Sequence, residues 1–451
     1  MKVKKPVFLF SCCMVGILCT VTTKAQLSLS GQLRTRTELL HGQGTPLAKG
    51  EKPAFFTSQR TRLNVGYKGY RMRFYLSAQD VRVWGQDAST NNRVTNAAMN
   101  GLMLHEAWGE IRLLDTNQTK NGKDFSLKVG RQELLYDDSR LLGNLDWLQQ
   151  ARRHDAVLLK YSNAGFTAHL GAAYNQNREL KTGTLYDGVP NGYPAGTNGI
   201  GTMYKSMQFA YLGKKLASGT ASFLLFKDDF QKYTLAETGT KTLEKGTWKR
   251  LTLGPYMDSK LGKSWNVNAS AYFQTGKDRD GKNLNAYMYS VRGLFTANRF
   301  FSVGPGFDYT SGTTAGSKNN HSFDPLYGTP HKFWGQMDYF YAANGFGKGG
   351  LSDFYIHSNI KASAKFSIQA DLHQFSSTTP IMNANDEKMS GNFGNELDII
   401  GTCNLTKTIS FQGGYCTFLP TNSLAQVKSV SNPQKMANWA YVMINIKPDF
   451  L

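Results

Sequence analysis

The chain has 451 residues and a formal net charge of +20, with 40% hydrophobic and 12% aromatic residues. So long a chain without a Pro-rich linker or composition break predicts one large domain. Beyond the N-terminal segment there is no run of about eighteen apolar residues, which excludes spanning helices.

At the N-terminus, Lys2, Lys4 and Lys5 precede an apolar stretch from Pro6 to Val21 that ends in Thr23-Lys24-Ala25. The stretch is shorter than the ~20 apolar residues of a membrane-crossing helix, and small residues stand at the cleavage positions. Residues 1–25 therefore read as a signal peptide cleaved after Ala25, and 26–451 as the mature domain. Neither Cys13 nor Cys19 follows a lipoprotein-type triplet.

Period-two alternation begins at once and recurs to the end of the chain. In 27–40, Leu27, Leu29, Leu33 and Leu39 alternate with Ser28, Ser30, Arg34, Arg36 and Glu38; in 70–77, Tyr70, Met72, Phe74 and Leu76 alternate with Arg71, Arg73, Tyr75 and Ser77. The first three strands thus place Arg34, Arg36, Arg60, Arg62, Arg71 and Arg73 on the polar face. A hairpin pairing Arg36 with Arg60 and Arg34 with Arg62 would set like charges opposite each other, which is destabilising unless acids, water or a polyanion compensate.

Between Gly130 and Tyr161, acids and arginines alternate closely: Arg131, Glu133, Asp137, Asp138, Arg140, Asp146, Arg152, Arg153 and Asp155. This mixture predicts an ion-paired loop that narrows a pore, or a site where arginines take carboxylates in bidentate fashion. Later strands alternate too, as in Trp265 to Gln274. In 396–405, Leu397, Ile399, Gly401, Cys403 and Leu405 form one face, with Ile400 as the exception on the other. With Leu405 facing Ile409, Cys416 falls opposite Asp398, too far from Cys403 for a disulfide.

Short turns (67–70, 163–165, 297–299, 363–365) alternate with long polar connections (41–56, 177–203, 229–247, 378–393), the arrangement of outer-membrane barrels. Nineteen strand candidates appear, one of them at 331–340. Because bacterial single-chain barrels have even strand numbers, that candidate leaves the wall and eighteen strands remain. Residues 312–348 then form one long aromatic loop with Phe333, Trp334 and Tyr339, predicted to fold inward or pack on the rim. The last strand, from about Ala437, is followed by Phe450, one residue before the end, similar to the terminal aromatic read by the barrel assembly machinery. The fold class is all-β, a transmembrane antiparallel barrel of the outer-membrane type.

Other chemistry finds little support. Asp278-Arg279-Asp280-Gly281 lacks the Gly and Glu spacing of a calcium loop. The histidines form no HExxH pair, and no Gly-x-Ser-x-Gly segment marks a hydrolase. No metal, cofactor or enzymatic activity is expected, and no compact nucleic-acid motif accompanies the basic charge.

The run from Arg131 to Tyr161 resembles the signature of the alginate export porin family. Phe323-Asp324-Pro325-Leu326-Tyr327-Gly328 with His331-Lys332-Phe333-Trp334-Gly335 is similar to a second block of that family, as are the opening arginine strands and Asp80-Val81-Arg82-Val83-Trp84. The resemblance implies an outer-membrane barrel with an electropositive constriction that passes an anionic polysaccharide or oligosaccharide such as alginate. It assigns constriction or loop-shaping roles to Arg131, Glu133, Asp138, Arg140, Arg152 and Arg153, with Asn144, Asp146, Trp147, His331 and Trp334 as candidates for the narrowing loops. Expected partners are the anionic glycan, outer-membrane lipid, the assembly machinery and periplasmic secretion proteins. The alternative is a general porin of the same fold without polysaccharide preference.

Overall fold

In the computed structural model of the chain, residues 26–451 are described except 86–101, 116–121, 178, 180, 187–202 and 343–348. The signal peptide expected at 1–25 lies outside the described residues. No described helix is long and apolar enough to cross a membrane. The architecture is carried by strands β1 (Gln26–His41), β2 (Ala54–Lys68), β3 (Met72–Val83), β4 (Met103–Arg112), β5 (Asp124–Gln132) and β6 (His154–Asn163). Then follow β7 (Phe166–Tyr174), β8 (Ser206–Lys215), β9 (Gly219–Leu235), β10 (Lys241–Leu261), β11 (Trp265–Lys277) and β12 (Asn283–Thr296). The last six are β13 (Phe301–Thr310), β14 (Leu351–Lys361), β15 (Phe366–Ser377), β16 (Asn392–Asn404), β17 (Ile409–Pro420) and β18 (Ala437–Ile446).

Each strand pairs antiparallel with its sequence neighbours, and β1 pairs with β18 from Leu33↔Ile446 to His41↔Asn438, closing an 18-stranded barrel with no free edge. The alternation puts the apolar face outward, toward lipid. On β12, Tyr287, Tyr289 and Val291 are exposed while Ala286, Met288 and Ser290 are buried; on β18, Val442 is 59% exposed and Trp439 fully buried. Short turns gather at one end, as at Ala164-Gly165, whose positive φ values suit the two-residue turn that matches strand twist. The long connections gather at the other, the extracellular end by the rule for such barrels.

Two expectations are corrected. The first hairpin pairs Arg34 with Arg60, Gln32 with Arg62 and Arg36 with Ser58, so only one arginine pair is directly opposed. A two-residue slip keeps every side chain on its face, so alternation is blind to it. Residues 229–247 are not a loop: β9 and β10 run on as a paired ribbon to a tight turn at 236–240, with a register shift between Leu243 and Thr247. Above the bilayer both faces of a ribbon meet water, so its sequence loses the alternation that marks a strand. Elsewhere Cys416 faces Asp398, as expected, and both thiols are free.

The long-loop half of the lumen holds the packed core. One buried cluster joins Leu134, Tyr136, Leu141 and Leu142 of the β5–β6 connection to Leu158, Phe209 and Phe226 on the wall. The other joins Trp334, Met337, Tyr339 and Phe340 of the β13–β14 connection to Phe375, Phe393, Phe418 and Trp439. The aromatic loop thus folds inward. Here the inner wall is aromatic where a hydrated lumen would be polar, which gives the loop an apolar surface to bury against.

Candidate lumen constriction

Two connections meet inside the barrel. Residues 133–153 leave β5 and cross the lumen to the β1–β2 wall; residues 311–342 descend from β13. They join by main-chain hydrogen bonds from Gly143 N to the Tyr327 carbonyl (3.0 Å), from Tyr327 N to that of Leu141 (3.0 Å) and from Thr329 N to that of Ser139 (2.8 Å). The approach is close enough to need glycines: a Cβ on Gly328 would lie 1.9 Å from the Arg140 carbonyl oxygen, and one on Gly143 2.3 Å from Thr329 Oγ1. Gly328→Ala should therefore part the loops and cost about 1–3 kcal/mol, the usual range for overpacking, read as a lower urea midpoint of the lipid-embedded barrel. Asp137, Ser139, Leu145 and Ala151 in the first loop, and Leu326, Trp334, Asp338 and Tyr341 in the second, have positive φ. Such left-handed non-glycine residues persist only where surrounding contacts over-determine them.

The loop lies on the arginine ladder of β1 and β2. Asp146 is the clamp: its carboxylate meets Arg60 at 2.8 Å, Arg34 at 3.1 Å and Arg62 at 3.8 Å. Arg34 also donates to the Gln149 side chain and to the carbonyls of Trp147 and Leu148. Arg36 bonds Glu38 at 2.8 Å, donates to the Trp147 carbonyl at 2.7 Å and lies 4.1 Å from the centre of the Trp147 ring. Arg62 donates to Gln79 and reaches Glu133 at 4.0 Å. The opposed Arg34 and Arg60 are thus compensated by a loop carboxylate and loop carbonyls. Burial by itself would raise the Asp146 carboxyl, but Arg60 and Arg34 outweigh it and hold the group below the usual carboxylate range.

The remaining expected residues divide. Glu133 bonds His105 at 2.7 Å and accepts from Asn144 at 2.7 Å. Trp147 stacks on His331 with centroids 4.3 Å apart, which ties the two loops together, and His331 bonds Asp338 of its own loop at 2.7 Å. Arg140, 2% exposed, bonds Asp308 at 2.6 Å, approaches Asp138 at 3.5 Å and lies against the Phe333 and Trp334 rings. Arg152 is equally buried and donates to the Gly328 carbonyl, while its Nε and Nη2 have no hydrogen-bond partner among the described residues. Burial lowers this guanidinium to about 9, so it remains a cation at neutral pH.

Four arginines lie away from the constriction. Arg131 follows Leu127 and Val129 on the outer face of β5 and forms a two-pronged pair with Asp155 at 2.8 and 2.9 Å. Arg153 sits at the mouth of β6, 3.6 Å from Met103 Sδ. Arg71 donates to the carbonyls of Arg112 and Leu113 near the short-turn end. Arg73, lower on the wall, pairs with Glu110 at 3.6 Å.

The loops leave cavities on either side. An outer one of about 840 Å³ is lined by Arg250, Asp278, Arg279, Lys282 and Asp324. A passage of about 340 Å³ runs between Asn144, Asp146, Trp147 and His331 on one side and Gln412 and Tyr441 on the other. A chamber of about 420 Å³ toward the short turns shares Lys332, Gln336, Ile400 and Gln412 with that passage, and adds Arg292, Tyr355 and His357. Sequence reasoning missed Arg292, although its parity with Met288 and Ser290 on β12 marks it as lumen-facing.

Comparisons with known proteins follow the same lines. No curated protein matches the sequence. Among solved structures the chain is similar to Acinetobacter baumannii OccAB4, at 12% identity and a TM-score of 0.59 over 94% of this chain and 98% of that one. It is similar to a BenF-like porin from Pseudomonas fluorescens Pf-5, at 12% identity and a TM-score of 0.58 over 94% and 99%. Pseudomonas aeruginosa OpdO gives 13% identity and a TM-score of 0.55 over 94% and 98%. At these identities the likeness speaks for the fold. The chain is an outer-membrane porin-type barrel whose residues 25–174, from β1 through β7 and including the clamp loop, match the alginate export family.

Proposed function

We propose that this barrel passes an anionic saccharide, a uronate polymer such as alginate or its oligomers, by diffusion through its lumen. The observation that carries this reading is that the alginate export match spans both the arginine ladder and the loop clamped on it. Four guanidiniums, Arg34, Arg36, Arg60 and Arg62, share three carboxylates, Glu38, Glu133 and Asp146, which leaves the ladder's ion pairs with one guanidinium in excess. Such a field lowers the barrier for carboxylates, and several moderate sites in series let a polymer move on. No covalent step is involved. The same reading places leader cleavage near Ala25, recognition of the Phe450 end by the barrel assembly machinery, and periplasmic secretion partners at the short-turn mouth.

A second reading, a general porin, is favoured by the saturation of the ladder: Arg34, Arg36 and Arg60 are each no more than 5% exposed and already bonded to protein. The reversal potential of the purified barrel in a planar bilayer under a salt gradient separates the two. Anion preference together with block by trigalacturonate is expected. Cation preference, or no preference and no block, would replace the saccharide channel by the general porin.

A further inference from the structure

The chamber toward the short turns holds two cations that make no ion pair with any described residue. Most ionic groups on its wall have partners: Arg140 is bonded to Asp308, Asp371 to His357, and His373 to Asp353. Two cations differ. Arg292, opposite Gly306 on the β12–β13 pair, makes no ion pair or side-chain hydrogen bond with any described residue. Lys332, on the floor of the inward loop, donates its ammonium at 2.9 Å to the carbonyl of Asp138, a neutral acceptor. Burial lowers the Lys332 ammonium from its usual range, Asp138 pulls it up, and Arg292 and Arg140 push it down. Two like charges on one cavity are stabilised by an anion between them.

The rest of the lining fits a sugar ring better than a bare ion. The Tyr355 ring fills the space beside Gly306 that a side chain would occupy; a Cβ there would lie 2.1 Å from the ring. This places an aromatic face next to the position of Arg292. The Trp334 indole N–H is buried without a partner among the described residues, and Gln336 lines the same cavity. Aromatic faces with convergent polar donors are how apolar-walled pockets orient a polar ligand.

We propose that Arg292 and Lys332 form a binding subsite for the carboxylate of one uronate unit, whose ring lies on Tyr355 and whose hydroxyls reach Gln336 and the Trp334 indole. The subsite rests on the anionic-saccharide reading and deepens it: the anion is recognised below the constriction, by two cations without an ion pair among the described residues, instead of on the paired ladder. A chain leaving toward the outside would meet this chamber before the clamp.

The test is channel block in planar bilayers with the full barrel, adding trigalacturonate on the short-turn side. Arg292→Gln and Lys332→Gln should each raise the half-blocking concentration about tenfold, as expected for one charge-assisted hydrogen bond, and the double variant more. Arg292→Lys, which keeps the charge, should retain most of the block, and Lys407→Gln in an exposed turn should change nothing. Wild-type block that persists undiminished in a folded double variant overturns the subsite and leaves the saccharide channel standing; no block of the wild type overturns both. Equal block by maltotriose overturns the carboxylate assignment, and equal block by tricarballylate overturns the saccharide assignment.

Discussion

Asp146→Asn should raise single-channel conductance and make the open level noisier, because this carboxylate bridges Arg34 and Arg60 where the β5–β6 loop meets the wall. Its removal leaves Arg34 and Arg60 directly opposed with no acid between them. Taking one partner from a buried ion pair costs about 3–5 kcal/mol. The Asp146 side chain is 45% exposed toward the passage, so water screens part of that, and about 1–3 kcal/mol is the expected loss. The barrel wall closes through β1–β18 main-chain bonds that do not involve Asp146, so the variant should still fold and insert. The pH dependence has a definite sign. A carboxyl held below its usual range stabilises the clamp above the ordinary carboxylate pKa of about 3.9 and loses that contribution as pH falls through the depressed value. Conductance should therefore stay level from neutral pH through mild acid and rise only below about pH 4. In Asp146→Asn the contribution of this carboxyl to that rise should be gone.

Arg140→Ala should reduce stability far more than it alters selectivity. From sequence, Arg140 and Arg152 read as residues of an anion path, and their replacement would be expected to weaken anion preference. Within the fold, Arg140 lies under Phe333 and Trp334, bonded to Asp308, which is itself 2% exposed, and to Ser290. Removing it leaves Asp308 buried without its cation, a change of about 3–5 kcal/mol. The thermal midpoint in lipid should fall accordingly, with the reversal potential close to wild type. Arg140→Met with Asp308→Asn should recover much of the loss, because two neutral groups replace a charge left alone. A stable Arg140→Ala barrel with altered selectivity would instead place this guanidinium on the ion path.

What the sequence revealed follows from which properties are local. Strand parity depends on neighbours two residues apart, so β1, β3, β11, β16 and β18 are legible, as is the odd position of Ile400, which does line the lumen passage. Even strand number, a topological rule, removed 331–340 from the wall correctly. Parity also held the answer for two arginines that it was not used to place. Arg131 continues the Leu127–Val129 face and so points outward, but its acidic and basic neighbours suggested a constriction. Arg292 continues the Met288–Ser290 face and so points inward, yet it stands in no charged cluster. The pairing of Asp146 with Arg34 spans 112 residues, and no local pattern encodes it. The same holds for the two-residue slip of the first hairpin and for the crossing of the loops at Gly143 and Gly328.

The ribbon formed by β9 and β10 has a consequence outside transport. These strands have 17 and 21 residues, whereas a tilted strand needs only ~9–11 to cross the hydrocarbon, so several residue pairs continue beyond it at about 3.3 Å per residue. The turn at Thr238-Gly239 is exposed, and in the outward orientation it stands well above the headgroups. A short peptide tag inserted there would lengthen a solvent-borne hairpin without touching the two inward loops, giving intact cells a surface handle for antibody labelling and for counting folded barrels.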